Sequence, residues 1–202
     1  MGEAESYKTI DQSAVAEYKD RGSKFLAFAD PILKVEDFKK WLLFLKKEHP
    51  KAAHHCFAYR IGNDGNTFRV SDDGEPAGSA GKPILGQIDS KEVTNISVIV
   101  VRYFGGSLLG VPGLINAYKT VTSLVLQITP IVKKQIEESY IVHFDYTLIN
   151  EVMMVLKQCN CTILTQELQL FCNISTGIPK SRLTEVLYRL KELQSVDVKK
   201  LV

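Results

Sequence analysis

The sequence predicts an α+β chain of two domains. Three observations carry that prediction. Strand-like and helix-like apolar patterns alternate along all 202 residues. The texture changes after Pro130, beyond which one glycine, Gly177, remains. The segment that follows reads as strand, helix, two strands, helix and strand in about 65 residues, which is the ferredoxin-like βαββαβ plan.

The elements follow in order. Residues 23–33, rich in Phe and Leu, read as a strand. Over 35–48, Val35, Phe38, Trp41, Leu42 and Leu45 recur at helical spacing with lysines opposite, and Pro50 stops the helix. Residues 53–61 and Thr67–Val70 read as strands joined across the turn Asn63-Asp64-Gly65-Asn66. A short helix is expected over Pro83–Ile88. The β-branched run 96–101 reads as a strand buried on both faces. Leu114, Ala117, Tyr118, Val121, Leu124, Val125 and Ile128 then mark a long core-facing helix ending before Pro130. Beyond it, strands are expected over 139–148, 161–166 and 168–175, the last two as a hairpin. Helices are expected around Leu148–Leu156 and over 180–194, with a closing strand from Val196. The domain boundary falls near residue 135, giving domains 1–135 and 136–202. Lys and Arg exceed Asp and Glu by 18 to 15 in the first and fall short by 7 to 8 in the second.

Composition narrows the class. With 45% hydrophobic and 24% charged residues the chain is not disordered. A net charge of +2 excludes a polybasic nucleic-acid binder. Cys56, Cys159, Cys161 and Cys172 show no Cys-x-x-Cys spacing, so they read as reduced apolar residues rather than zinc ligands. The polar, acidic N-terminus is not a signal peptide. Its Met1-Gly2…Ser6 start matches a myristoylation skeleton, but Glu3 and Glu5 argue against that modification. No apolar run approaches the ~18 residues of a membrane span. A cytoplasmic protein without membrane contact is expected.

Eight of the 13 glycines lie between Gly74 and Gly113, and three segments in and beside that stretch carry candidate chemistry. In Ala53–Arg60, strand alternation puts His54, Cys56 and Ala58 on one face. His54 with Cys56 suits a base and nucleophile or two metal ligands, against the plainer reading of interior packing. In Ser71–Pro83, Asp72, Asp73 and Glu75 crowd three carboxylates into four residues. They are weak candidates for a metal, and Asp73 and Glu75 for proton transfer. The favoured reading is that acidic side chains cap the amides of a tight loop, and no metal or cofactor is expected. Lys82 follows, placed to meet an anion where amides open a helix; the Walker spacing is absent. In Arg102–Leu114, a strand, a double-glycine loop and a helix follow one another. Arg102 suits a phosphate or carboxylate, Tyr103 and Phe104 suit stacking, and Gly105 and Gly106 bring backbone amides forward. Arg60 adds a further cation. The glycine spacing is not a dinucleotide fingerprint, so NAD is not read here.

Together these segments resemble the YigZ/IMPACT family (UPF0029) over essentially the whole chain. The resemblance rests on Gly81, Ile84-Leu85, Ile88, Val93, Ile99-Val100, Arg102-Tyr103-Phe104-Gly105-Gly106, Leu109 and Gly110. The Ser71–Pro76 and His54–Arg60 runs add to it. Ser79 stands where the family pattern has Thr. The resemblance implies an N-terminal α/β sandwich like the second domain of ribosomal protein S5. It also implies a C-terminal ferredoxin-like domain similar to those of elongation factor G. Both relatives act on the ribosome. The eukaryotic members regulate translation with an extra N-terminal domain for which this chain has no room. No catalytic residues carry over.

Three readings stay open. One is a translation-related protein binding RNA or the ribosome through the glycine-rich face. The second is an enzyme for a small anionic or phosphorylated substrate, with His54, Asp73 and Glu75 beside Lys82 and Arg102. The third is a protein-interaction module whose glycines only pack.

Overall fold

The computed structural model describes residues 5–201. The Met1-Gly2 start lies outside them. The chain divides into two compact units, Tyr7–Lys134 and residues 135–201 with residues 5–6.

The first unit is built on a five-stranded antiparallel sheet. In spatial order its strands are β2 (Ala14–Asp20), β3 (Ser23–Pro31), β6 (Ile96–Tyr103), β4 (His54–Ile61) and β5 (Thr67–Ser71). Its helices are α1 (Val35–Glu48), α2 (Gly81–Ser90) and α3 (Gly110–Ile128). The central strand β6 is buried from Ile96 to Arg102 because both its faces are covered. On one face Phe25, Ala27, Cys56, Ala58, Val98 and Val100 pack against Ile84 and Ile88 of α2 and Leu114, Tyr118, Val121 and Val125 of α3. On the other, Phe57, Tyr59 and Ile99 pack against Phe38 and Leu45 of α1. The period-2 alternation of β4 therefore separates two cores rather than core from solvent.

α1 starts where the Asp37 carboxylate accepts the Leu33 and Lys34 amides, each at 3.2 Å. The expected helix at 83–88 extends to Gly81–Ser90, and the strand expected to reach residue 33 ends at Pro31. Three strands escaped the sequence reading: β1 (Ser6–Ile10), β2, and β7 (Ile131–Gln135), the first and last forming a two-stranded ribbon. β1 and β7 are five residues long and each carries lysine, and β2 mixes Glu17, Lys19 and Asp20 into its pattern, so neither alternation nor apolar runs mark them strongly.

The second unit is a four-stranded antiparallel sheet in the order β11 (Val196–Lys200), β8 (Glu137–Asp145), β10 (Phe171–Pro179), β9 (Thr162–Glu167). With α4 (Ile149–Gln158) and α5 (Leu183–Glu192) its element order is βαββαβ. Val142, Phe144, Ile174 and Ile178 face Val152, Leu156, Val186 and Leu190 in one core. The strand expected through Leu148 stops at Asp145, whose carboxylate accepts the Thr147 amide and turns the chain into a short 3-10 segment. Both units mix strands and helices, so the chain is α+β and two-domained. Among the described residues no helix is long and apolar enough to cross a membrane.

Candidate functional site

Antiparallel pairing brings the three segments to one end of the first unit's sheet. His54 on β4 stands opposite Arg102 on β6, which in turn stands opposite Phe25 on β3. The loop after β5 folds over this end. Asp73, with φ of 41°, and Gly74, with φ of 91°, reverse the chain so that Glu75 turns inward. The left-handed turn costs glycine little and a β-carbon residue more.

Glu75 is the centre of the arrangement. It is buried, and its Oε1 accepts from Arg102 Nη1 and from the Tyr118 hydroxyl, each at 2.7 Å. Its Oε2 lies 3.9 Å from His54 Nε2. The His54 Nδ1–H donates to the Asp73 carbonyl at 2.8 Å, which leaves Nε2 turned toward the carboxylate. Arg102 also donates from Nη2 to Ser23 Oγ at 3.3 Å, and its Nε is buried with no partner among the described residues. Its guanidinium lies over two rings, Phe25 at 5.4 Å and the exposed Phe104 at 5.7 Å.

Sequence reasoning offered Arg102 to an external phosphate or carboxylate. The structure gives it a carboxylate of the same chain, and both charges are buried. A buried charge is tolerated only when paired and hydrogen-bonded, and this pair meets both conditions. Tyr118 and Ser23 were absent from the sequence-level candidates. Tyr118 was read as a core position on the α3 stripe. A buried tyrosine hydroxyl needs a polar partner, and that was the available signal.

The acidic loop acts as a set of caps. Asp72 Oδ1 accepts the Ala80 and Gly81 amides at 3.0 and 2.8 Å, and Oδ2 accepts the Gly78 amide at 2.8 Å. Partial burial pushes its pKa up, but the amides of Gly78, Gly81 and Ala80 outweigh that and hold it below the ordinary value. The amides opening α2, which a phosphate was expected to meet beside Lys82, are thus filled by Asp72. Lys82 itself is exposed. Asp73 Oδ2 accepts the His55 amide at 2.6 Å, and its Oδ1 lies 3.6 Å from Lys46 Nζ. Among the described residues no three His, Cys, Asp or Glu side chains are grouped to hold a metal ion.

Cys56 does not suit the nucleophile role weighed for it. It is fully buried, donates to the Asp72 carbonyl at 3.0 Å, and burial pushes its thiol far above the thiolate range. Tyr103 is half-buried and bonds His49 Nδ1 through its hydroxyl at 2.8 Å. Arg60 is not brought to the cluster. It lies six residues along β4 from His54, about 20 Å at strand rise, and binds Asp89 and the Gly65 carbonyl.

Gly105 and Gly106 are exposed at the start of the loop into α3. Gly105 packs so closely on Gly22 that a Cβ would stand 1.9 Å from the Gly22 carbonyl carbon. Its amide donates to Ser23 Oγ at 3.2 Å. One glycine of the pair is therefore required by contact.

A buried Glu-Arg-Tyr network flanked by the partly exposed His54, beside a double-glycine loop, invites comparison with known proteins. The profile of the Impact N-terminal domain matches residues 21–126, which contain every residue of this network. The chain belongs to the IMPACT family. IMPACT family member YigZ of Escherichia coli K12 is 36% identical over 177 residues, covering 86% of this chain and 85% of its own. An IMPACT family member of Haemophilus influenzae is 31% identical over 191 residues, covering 94% and 93%. A crystal structure of a hypothetical protein superposes with a TM-score of 0.76 at 30% identity, covering 98% of each chain. The bacterial IMPACT relatives thus extend over both units, and the profile match falls wholly in the first.

Proposed function

We propose that the protein is a translation-related factor that engages RNA or the ribosome through the glycine-rich face of its first unit. The observation that carries this reading is Phe104, 51% exposed and seated on the buried Arg102 guanidinium beside two exposed glycines. A ring held from below and open above suits stacking on an unpaired base, with little side-chain entropy left to lose. Lys82 supplies an exposed cation. The kinship with IMPACT proteins supports the translation setting, as do the ribosomal-protein-S5-like and elongation-factor-G-like domains that the family resemblance implies. The charge of +2 disfavours tight non-specific binding to phosphates.

Filter binding to structured RNA, and cosedimentation with ribosomes, at two salt concentrations test the reading. F104A is expected to weaken binding by about tenfold, the lower part of the range for one stacked base. K82A is expected to reduce the salt slope by about one phosphate contact. Absence of any salt-sensitive binding overturns the proposal.

A second reading is favoured by one feature. His54, partly exposed and with its tautomer fixed by the Asp73 carbonyl, points Nε2 toward the buried Glu75 carboxylate. That arrangement suits general base chemistry on a small anionic substrate. Loss of a turnover activity in H54Q with folding intact would select it over RNA binding.

A further inference from the structure

The second unit's sheet is covered by helices on one face only. On the other face, His143 of β8 and Asn173 of β10 stand directly opposite each other, His143 Nδ1 bonded to Asn173 Oδ1 at 2.7 Å. A carbonyl oxygen only accepts, so Nδ1 carries the proton of this bond. The Phe171 ring stacks on His143, with centroids 6.0 Å apart and planes 19° from parallel. Phe171 is 59% exposed. On the neighbouring strand Asp197 is the register partner of His143, and Lys199 Nζ sits 2.8 Å from its carboxylate. With Ile141 as floor, these polar side chains wall a depression of about 310 Å³.

We propose that this face binds unpaired bases of single-stranded RNA. The exposed Phe171 ring, stacked on a His143 that the Asn173 amide holds, offers a flat face to solvent. A base has a π-face to lie on it. The edge chemistry is complementary as well. The Asp197 carboxylate accepts from an exocyclic amine, the Asn173 amide donates to a ring acceptor, and Lys199 meets the phosphodiester. A peptide strand would instead seek a free sheet edge, and an aliphatic ligand would leave these polar groups unmatched. No residue of this platform belongs to the glycine-rich face, so the inference does not rest on the function proposed above.

The test is titration of the full-length ¹⁵N-labelled protein with cytidine and uridine hexamers, followed by NMR and by anisotropy of labelled oligomers. Saturable shifts are expected at His143, Asn173 and Asp197. F171A is expected to weaken binding by about tenfold and F171W to restore it. D197N is expected to reduce affinity for the cytidine hexamer, whose exocyclic amine it meets, more than for the uridine hexamer. Phe171 is exposed, so its replacement leaves the fold intact. Shifts confined to Gly105 and Gly106 overturn this inference while sustaining the earlier one. Shifts confined to the sheet do the reverse, and shifts at neither overturn both. Unchanged affinity in F171A also overturns it.

Discussion

Removing the Glu75 carboxylate is the sharpest test of the network at the sheet end. In E75A the Arg102 guanidinium stays buried, since Phe25 and the strand position of Arg102 hold it there, but it loses its ion-pair partner. Tyr118 loses the acceptor of its hydroxyl in the same step. Breaking a buried pair from one side costs about 3–5 kcal/mol, chiefly because the remaining charge is uncompensated. At a urea slope of about 2 kcal/mol/M that moves the midpoint down by roughly 1.5–2.5 M.

The assay has a built-in reporter. Trp41 is the single tryptophan of the chain and lies on α1 of the first unit, so its fluorescence follows this unit's unfolding. E75Q keeps an oxygen for Arg102 and Tyr118 and is expected to lose about half as much. The double variant E75L/R102M, with neither charge, is expected to recover most of the loss, because replacing a whole buried pair by apolar groups is often neutral. Equal midpoints for E75A and wild type would refute the reasoning. So would a double variant less stable than E75A, because the cost would then lie in packing and not in the orphaned charge.

D72A should cost about 1–2 kcal/mol by uncapping the amides of Gly78, Ala80 and Gly81, read from the same fluorescence midpoint. G105A should cost about 3 kcal/mol, since its Cβ would overlap the Gly22 backbone. G86A should instead gain about 0.5–1 kcal/mol, because a Cβ there meets nothing within 4 Å and the position is helical. Stability should also fall on acidification. Burial holds the His55 pKa below 6.5 despite the opposing Asp73 charge, so the unfolded chain takes up a proton first and stability drops as pH falls from 6.5 toward the folded value. Asp72, held below 3.8, contributes stability above 3.8 that disappears as pH falls through its folded value. Midpoints between pH 7.5 and 3 should show both stages, and H55N should flatten the first; a pH-independent midpoint would contradict both assignments.

Legibility followed burial. Elements whose apolar spacing repeats cleanly, such as α1, β6 and α3, were evident because both the period and the partner core act on the same residues. β1, β2 and β7 were not: β1 and β7 are only five residues long, β7 is almost wholly exposed, and β2 breaks its apolar pattern with Glu17 and Lys19. At the site, the residue types were legible and their pairing was not. Arg102 and Glu75 lie 27 residues apart, and nothing local indicates that each is the other's counter-ion. The capping role of the acidic loop was legible, but which amides Asp72 takes was not, because they begin six residues on, across the turn made by Asp73 and Gly74.

That pairing changes the meaning of the glycine-rich stretch. A loop dense in carboxylates and a strand ending in arginine suggest two charged surfaces awaiting ligands. Folded together, Asp72 is spent on amides, and Glu75 and Arg102 neutralise each other out of solvent. The glycines let the backbones come close enough for this, as Gly105 against Gly22 demonstrates. What remains exposed is mainly apolar or neutral: Phe104, Gly106, Leu108 and Val111, with Lys82 on the neighbouring helix. Any partner of this face is therefore met first by ring and backbone, while the internal ion pair holds the ring in place from beneath. Recognition there should depend on Phe104 more than on Lys82, with a small salt slope from the lysine's one phosphate contact, and a charge-only ligand such as free phosphate should bind weakly.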